Sequence, residues 1–530
     1  MFSKLKTVFN TIKYLKFTQI LHQVKYRLIS PKTLKSYKGT RSVGFEPLLN
    51  FTMYPAVVSC WDGRAAFTFL NLRVDFEEGV DWDFQQHGKL WNYNLQYANY
   101  LLQPDVPNGA KIKVIKSQYE WLIDGRLTLE PYPASLRIIN SIRWIVENQV
   151  DDSELLHYLY ADLKFLSSRL EYHLLGNHIM ENAFALMMGG AFFGYGPWLT
   201  TGGKTLKKEL SEQIMPDGAH FELSPMYHKI IFFRILELID WYSSWPNHDQ
   251  NFRRYLEQKA SDMYAWLSNI TFRNGDIPHF NDSANAIAFP AKWLMRYADQ
   301  LGITASRKVL YESGYRSVTK GEYELKIDFA QLGPAYQPGH AHADALSFIL
   351  HFKNEPVFVE QGTSTYQVGT RRDLERSTQA HNTVVVNNAN QSQVWGGFRV
   401  AQRARTTILK DAVDGVYAAM HDGYRRFGVN HTRSFSIEPS KIVITDTLTK
   451  SVNATSYLHL YPNVDIHEVL LDAILLTNGV KIVVEGADSV IVEEYDFAEG
   501  YNVYRQAKRI AIPFTQHLKS LIYFEEQLIN

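Results

Sequence analysis

His340, His342 and Asp344 alternate along Gly339–Phe348, separated only by alanines. In an extended strand, residues two apart point to one face, so two imidazoles and a carboxylate would project together. Such a set suits a metal ion, an acid–base pair, or one of each. Further on, Val357-Phe358-Val359-Glu360 reads as a buried strand ending in a carboxylate, and His381 leads into the β-rich run Thr383–Val386. His342, Glu360 and His381 form a candidate metal trio of two imidazoles and one carboxylate. Arg371, Arg372 and Arg376 lie just before His381, and clustered arginines suit carboxylates or sulfates.

Three earlier segments also carry chemistry. In Asn177-His178-Ile179-Met180-Glu181-Asn182 the spacing puts Asn177, His178 and Glu181 on one helix face. The competing reading is a helix-capping Asn and a core His. In the run from Asp217 to His228, Ser224 and Pro225 read as N-cap and first helical residue. Tyr227 then falls in the first turn, where the helix dipole favours a tyrosinate; a core Tyr with a bonded hydroxyl is the alternative. The polar run Arg273–Ser283 reads as a loop whose Asn281 and Asp282 could meet substrate hydroxyls, although turn chemistry explains it as well.

The elements that must hold these residues change type along the chain. From about Ala134 to Leu301 the apolar pattern is helical. Leu136, Ile139, Ile142 and Ile145 make one stripe, and Ile230, Phe233, Leu236 and Ile239 another. Helices are expected near Asn177–Phe193, Tyr255–Ile270 and Ala291–Leu301. Short connections imply antiparallel hairpins, in a toroid or an irregular bundle. After Tyr315 come short β-rich runs punctuated by turns, among them Tyr323–Phe329, Leu346–Phe352 and Val480–Val484, the pattern of an antiparallel sandwich. The expected organisation is an N-terminal arm over 1–45, a helical domain over 46–315 and a β-sandwich over 316–530. The first 130 residues are mixed in pattern.

At 530 residues the chain exceeds one ordinary core, and 45% hydrophobic content makes it globular. Aromatics reach 14%, which fits either a large helical core or sugar-binding grooves. Lys+Arg and Asp+Glu are both 55, against a generic nucleic-acid binder. The charge is uneven, because no acidic residue precedes Glu46 while Lys4, Lys6, Lys13, Lys16, Lys25, Arg27 and others do. With Leu5, Val8, Ile12, Leu15 and Val24 near helical spacing, this arm would either contact an anionic membrane or partner peripherally, or pack on the body. It lacks the continuous apolar stretch and cleavage site of a signal peptide, and no run is long enough to span a membrane. Cys60 is the only cysteine. Cytoplasmic and periplasmic locations both fit.

Together, the Asn-His pair, the Ser-Pro-x-Tyr-His run, the His340 segment and His381 resemble the heparinase II/III family of polysaccharide lyases. The resemblance is clearest from about Asn177 to Thr383. It implies an N-terminal (α/α) toroid followed by a C-terminal antiparallel β-sandwich, with the active site in the cleft between them. On this resemblance Asn177 and His178 match the family's Asn-His pair, Glu181 its acidic neighbour, and Tyr227 and His340 the catalytic tyrosine and histidine. His342 and His381 match metal ligands, usually for structural zinc, and Glu360 stands where the family often has aspartate. Asp344 is then expected behind the ligands.

The implied reaction is β-elimination at a uronic acid, leaving a 4,5-unsaturated end on an anionic polysaccharide. Asn177 and His178 would neutralise the carboxylate, Glu181 would orient His178, and Tyr227 and His340 would supply base and acid. Arg371, Arg372, Asn281 and Asp282 are expected against the substrate. A setting beside exopolysaccharide or glycosaminoglycan metabolism fits, and zero net charge suits unsulfated or lightly sulfated polymers. The alternatives are a uronyl C5-epimerase, a toroid glycoside hydrolase pairing Glu181 with Glu222, Asp276 or Asp282, and a non-catalytic polysaccharide-binding protein.

Overall fold

The structure, a computed structural model, describes residues 2–29, 31–35, 49–52, 59–246, 248–470 and 473–524. The end of the expected arm, 36–45, lies outside the described residues.

Two helices, α1 (Phe2–Ile12) and α2 (Phe17–Leu28), precede a small β-hairpin, Ala66–Phe69 with Leu72–Asp75. The toroid follows: α3 (Lys89–Gln96), α4 (Asn108–Asp124), α5 (Pro131–Asn148), α6 (Ser153–Ser168), α7 (Gly176–Phe192), α8 (Gly196–Gln213), α9 (Pro225–Ser244), α10 (Gln250–Ile270) and α11 (Ala291–Gln300). The α5 stripe of Leu136, Ile139, Ile142 and Ile145 is buried, as its spacing predicts. Apolar on nearly every side, α7 lies at the centre of the helical layer, packed on α5 and α8. Gly202 of α8 makes the α7–α8 approach possible, since a Cβ there would sit 2.9 Å from the Ala183 carbonyl oxygen. Trp91, Trp144, Trp241 and Trp266 fill this core, so much of the aromatic content is packing.

After α11 the chain becomes sheet. An eight-stranded antiparallel sheet runs in the order Thr406–Val413, Val416–His421, His431–Ile437, Lys441–Leu448, His517–Phe524, Val480–Glu485, Ala473–Leu476, Ile466–Val469. Two four-stranded sheets complete the sandwich. One contains Ile491–Gly500, Val503–Phe514, Ala454–His459 and Val384–Val386; the other contains Tyr315–Lys320, Tyr323–Asp328, Phe348–Phe352 and Glu355–Phe358. Strict alternation of burial along Lys441–Leu448 sends Ile442, Ile444 and Leu448 into a core with Phe348, Phe435 and Ile512.

One local expectation fails. His340, His342 and Asp344 are not on a strand; the strand starts only at Phe348. The segment is a loop because its backbone bonds leave the sheet direction: His340 O accepts from Asp282 N, Ala343 N donates to Arg376 O, and Leu346 turns with φ +65°.

Candidate active site

A cleft of about 1920 Å3 runs between toroid and sandwich, and Asn177, His178, Glu181, Tyr227, His340 and Tyr366 all line it. Helix α9 delivers Tyr227. Ser224 is its N-cap, accepting from Tyr227 N at 3.2 Å, and Pro225 is its first residue. The sandwich loop delivers His340, whose ring stacks on Tyr227 with centroids 3.8 Å apart and planes 28° apart. The Tyr227 hydroxyl is 3.3 Å from that of Tyr366. Burial pushes the Tyr227 phenol well above its ordinary range, with Asp282 and Glu222 adding to the effect, so it is a proton donor at rest.

Asp282 organises the site. Its Oδ2 accepts from His340 Nδ1 at 2.9 Å and its Oδ1 from His342 Nε2 at 2.8 Å. Arg372 closes a bidentate pair on the same carboxylate, with Nη2 at 2.7 Å from Oδ2. Although burial works against the carboxylate, Arg372 and the two imidazoles hold Asp282 well below its ordinary pKa. With Nδ1 turned to Asp282, His340 has its Nε2 3.6 Å from Glu222 Oε2.

The Asn-His pair opens α7. Gly176 has φ +59°, and a Cβ there would collide with Gln337 and Glu222. Glu222 accepts from Asn177 N at 3.0 Å and from Asn177 Nδ2 at 3.1 and 3.0 Å, so Asn177 lies inside the first turn and does not cap it. His178 Nδ1 donates to Glu171 Oε1 at 3.2 Å, and Asn182 Nδ2 holds the other Glu171 oxygen at 2.9 Å. Burial opposes the imidazolium, but Glu171, then Glu222 and Glu181, raise the His178 pKa overall. Leu175, Leu223 and Asn281 all have positive φ, and each lies within two residues of Asn177, Ser224 or Asp282. Strain of about 1 kcal/mol or more at each is tolerated where surrounding structure fixes the chain.

A second cluster lies behind His340. His342, Asp344 and His381 are buried and each offers a ligand atom, all within 4.8 Å of one another. His342 Nδ1, Asp344 Oδ2 and His381 Nε2 have no hydrogen-bond partner in the protein. Three buried, unpartnered nitrogen and oxygen donors of this kind fit a divalent cation.

Residues 134–308 match the heparinase II/III N-terminus, and residues 302–525 match the heparinase II/III-like C-terminal domain. The chain belongs to the heparinase II/III family. It is 24% identical over 320 residues to a heparin-sulfate lyase of Bacteroides stercoris, covering 54% of this chain and 46% of the relative. A heparin-sulfate lyase of Pedobacter heparinus is 25% identical over 268 residues, covering 45% of this chain and 40% of the relative. The chain thus spans about half the length of these curated relatives. A crystal structure of heparinase III superposes with a TM-score of 0.71 at 16% identity, covering 95% of this chain and 89% of the other. The heparan sulfate lyase HepC from Pedobacter heparinus gives 0.57 at 17% identity, covering 96% and 88%. The heparinase II/III fold, toroid followed by sandwich, is therefore the fold of this chain.

Against this family framework several expected residues move. Glu181 does not orient His178, because Arg234 Nε takes both its oxygens at 3.2 and 3.0 Å; Glu171 does that work instead. Arg372 and Asp282 are fully buried and bonded to each other, and Asn281 is spent on Leu223 O, Tyr315 and His342 N. Asp282, backed by Arg372, positions His340, Asn281 holds the His342 backbone, and none of the three lines the cleft. Arg371 does not line the cleft either; it is bonded to Glu375 and to the Asp496 backbone. Glu360, expected as a ligand, bonds His381 Nδ1 and so orients that imidazole, while Asp344 supplies the carboxylate of the cluster. Glu171, Tyr366 and Arg234 carried no local signal, since each acts through partners distant in sequence. Among the described residues, no helix is long and apolar enough to cross a membrane.

Proposed function

We propose that this protein is a polysaccharide lyase that cleaves an anionic uronic-acid polymer by β-elimination. The observation that carries the reading is the stacked Tyr227–His340 pair, one residue from each domain, in a cleft that also holds Asn177 and His178. The C5 proton of a uronate becomes removable only when its carboxylate is neutralised. His178, held toward its charged form, supplies that neutralisation, and Asn177 adds an amide donor. His340 Nε2 takes the C5 proton. The electron pair forms the C4=C5 bond, the C4–O4 bond breaks, and the Tyr227 hydroxyl gives its proton to O4.

Because the two rings lie side by side, base and acid approach the sugar from one face. This favours uronates whose C5 hydrogen and O4 share a face, the glucuronate configuration. Glu181 and Asp282 are locked in ion pairs with Arg234 and Arg372, which leaves a hydrolase short of two of its candidate carboxylates.

A divalent ion at His342, Asp344 and His381 would cross-link the His340 loop to the entry of the Val384–Val386 strand. Zinc suits two imidazoles and a carboxylate, with Glu360 orienting His381. The test is ultraviolet absorbance of unsaturated uronate while the purified protein acts on heparosan, hyaluronan, heparan sulfate and alginate. A rise that disappears in Tyr227→Phe supports elimination. New reducing ends without absorbance would replace it with hydrolysis.

A further inference from the structure

The N-terminal helices meet the body the wrong way round for an amphipathic pair. Their polar and aromatic groups make the contacts. Thr7 and Thr11 of α1 accept from Gln393 Nε2 at 3.1 Å and Trp395 Nε1 at 3.2 Å on the sandwich side. Gln19 and Tyr26 of α2 donate to Leu174 O at 3.2 Å and Leu170 O at 2.6 Å on the toroid. Between the helices, Tyr14 lies under Arg403 at 3.8 Å and Lys16 pairs with Glu212.

The apolar stripes are left exposed, Val8, Ile12, Ile20 and Val24 along the cleft and Leu5, Phe9, Phe17, Leu21 and Leu28 outside its lining. Leu5, Val8, Phe9 and Ile12 follow the spacing of one helix face, as do Phe17, Ile20, Leu21, Val24 and Leu28. Phe9 is 67% exposed, Phe17 76%, Leu21 52% and Leu28 78%. A run of exposed apolar side chains on two successive helices is a contact surface. Its charge identifies the partner. No acidic residue precedes Glu46, and Lys6, Lys13, Lys25 and Arg27 are exposed around the stripes. Exposed apolar stripes flanked by cations on two successive helices match the interface of an anionic bilayer.

We infer that α1 and α2 dock this protein on an anionic phospholipid surface, the stripes entering the headgroup region and the basic residues meeting lipid phosphates. Val8, Ile12, Leu15, Ile20 and Val24 also line the cleft. Docking therefore brings the mouth of the cleft to the membrane and fits a glycan held there. The inference stands apart from the lyase reading, because its test reads lipid binding alone.

The experiment is flotation of the full chain with phosphatidylglycerol–phosphatidylcholine vesicles and with phosphatidylcholine vesicles, at low and high salt, beside light scattering. The expected result is flotation with the anionic vesicles alone, weakened by salt. The double variant Phe17→Glu/Leu28→Glu should bind about tenfold more weakly or worse, with an unchanged circular dichroism spectrum. Val413→Glu, an exposed apolar site on the sandwich, should bind as the parent does. Absence of flotation, equal flotation of the double variant, or a dimer that the double variant splits would each overturn the inference, the last by giving the stripes to a second copy.

Discussion

The imidazole of His340 rests on the phenol of Tyr227 with ring centroids 3.8 Å apart, and these two residues come from different domains. Catalysis on this geometry requires the toroid and the sandwich to be held in fixed relation. Among the described residues, the Tyr227 hydroxyl has Tyr366 as its hydrogen-bond partner. Tyr227→Phe should therefore cost about 1 kcal/mol of stability or less, while kcat falls about a thousandfold or more. Thermal melting beside a turnover assay checks this, and retained turnover would remove Tyr227 from the mechanism.

His178 gives the site a pH dependence. Its pKa is raised, with burial opposing and Glu171, Glu222 and Glu181 favouring the cation; Tyr132 and His173 pack nearby. The sign follows from the raised value. The His178–Glu171 contribution is complete below the unfolded pKa of about 6.5 and is lost as pH rises through the folded value. KM should rise over that same upper window. In Glu171→Gln the rise should begin at lower pH, and an unshifted KM profile would count against His178 as the carboxylate partner.

Asp282 should matter more for folding than any other residue of the site. Asp282→Ala leaves Arg372 buried without its carboxylate and frees both imidazoles, which should cost about 3–5 kcal/mol. Chemical denaturation measures the loss. A change under 1 kcal/mol on that same scale would mean that Arg372 finds another partner.

Metal content tests the second cluster. The purified protein should carry close to one equivalent of a divalent ion, and His381→Ala should carry almost none. Chelation should lower Tm, and the same ion should restore it. Full stability of the chelated protein, with no metal found before chelation, would leave the three orphaned donors without a ligand.

The sugar configuration is separable from the chemistry. A glucuronate polymer such as heparosan should be cleaved at least tenfold faster than an iduronate-rich chain of similar charge, because the stacked pair serves one face. Equal rates would show that acid and base reach both faces.

Local patterning in the sequence was enough to mark the helix-to-strand switch near Tyr315 and the capped start of α9, because apolar period and Ser-Pro capping act over a few residues. Local spacing raised Asn177, His178, Tyr227 and His340 beside capping and core readings, and the family resemblance gave them their expected roles. Together they misplaced Glu181, Arg372 and Glu360, whose side chains look like site residues in isolation. Their roles depend on who neutralises whom: Arg234 takes Glu181, Asp282 takes Arg372, and His381 takes Glu360. Buried charge must find a partner wherever the fold brings one, and those partners lie in other elements. The sequence by itself determined which groups this protein has and where its strongly periodic helices give way to strands. Only the tertiary structure decided that Asp282 sits behind His340, that Glu171 faces His178, and that the apolar stripes of the arm stay exposed.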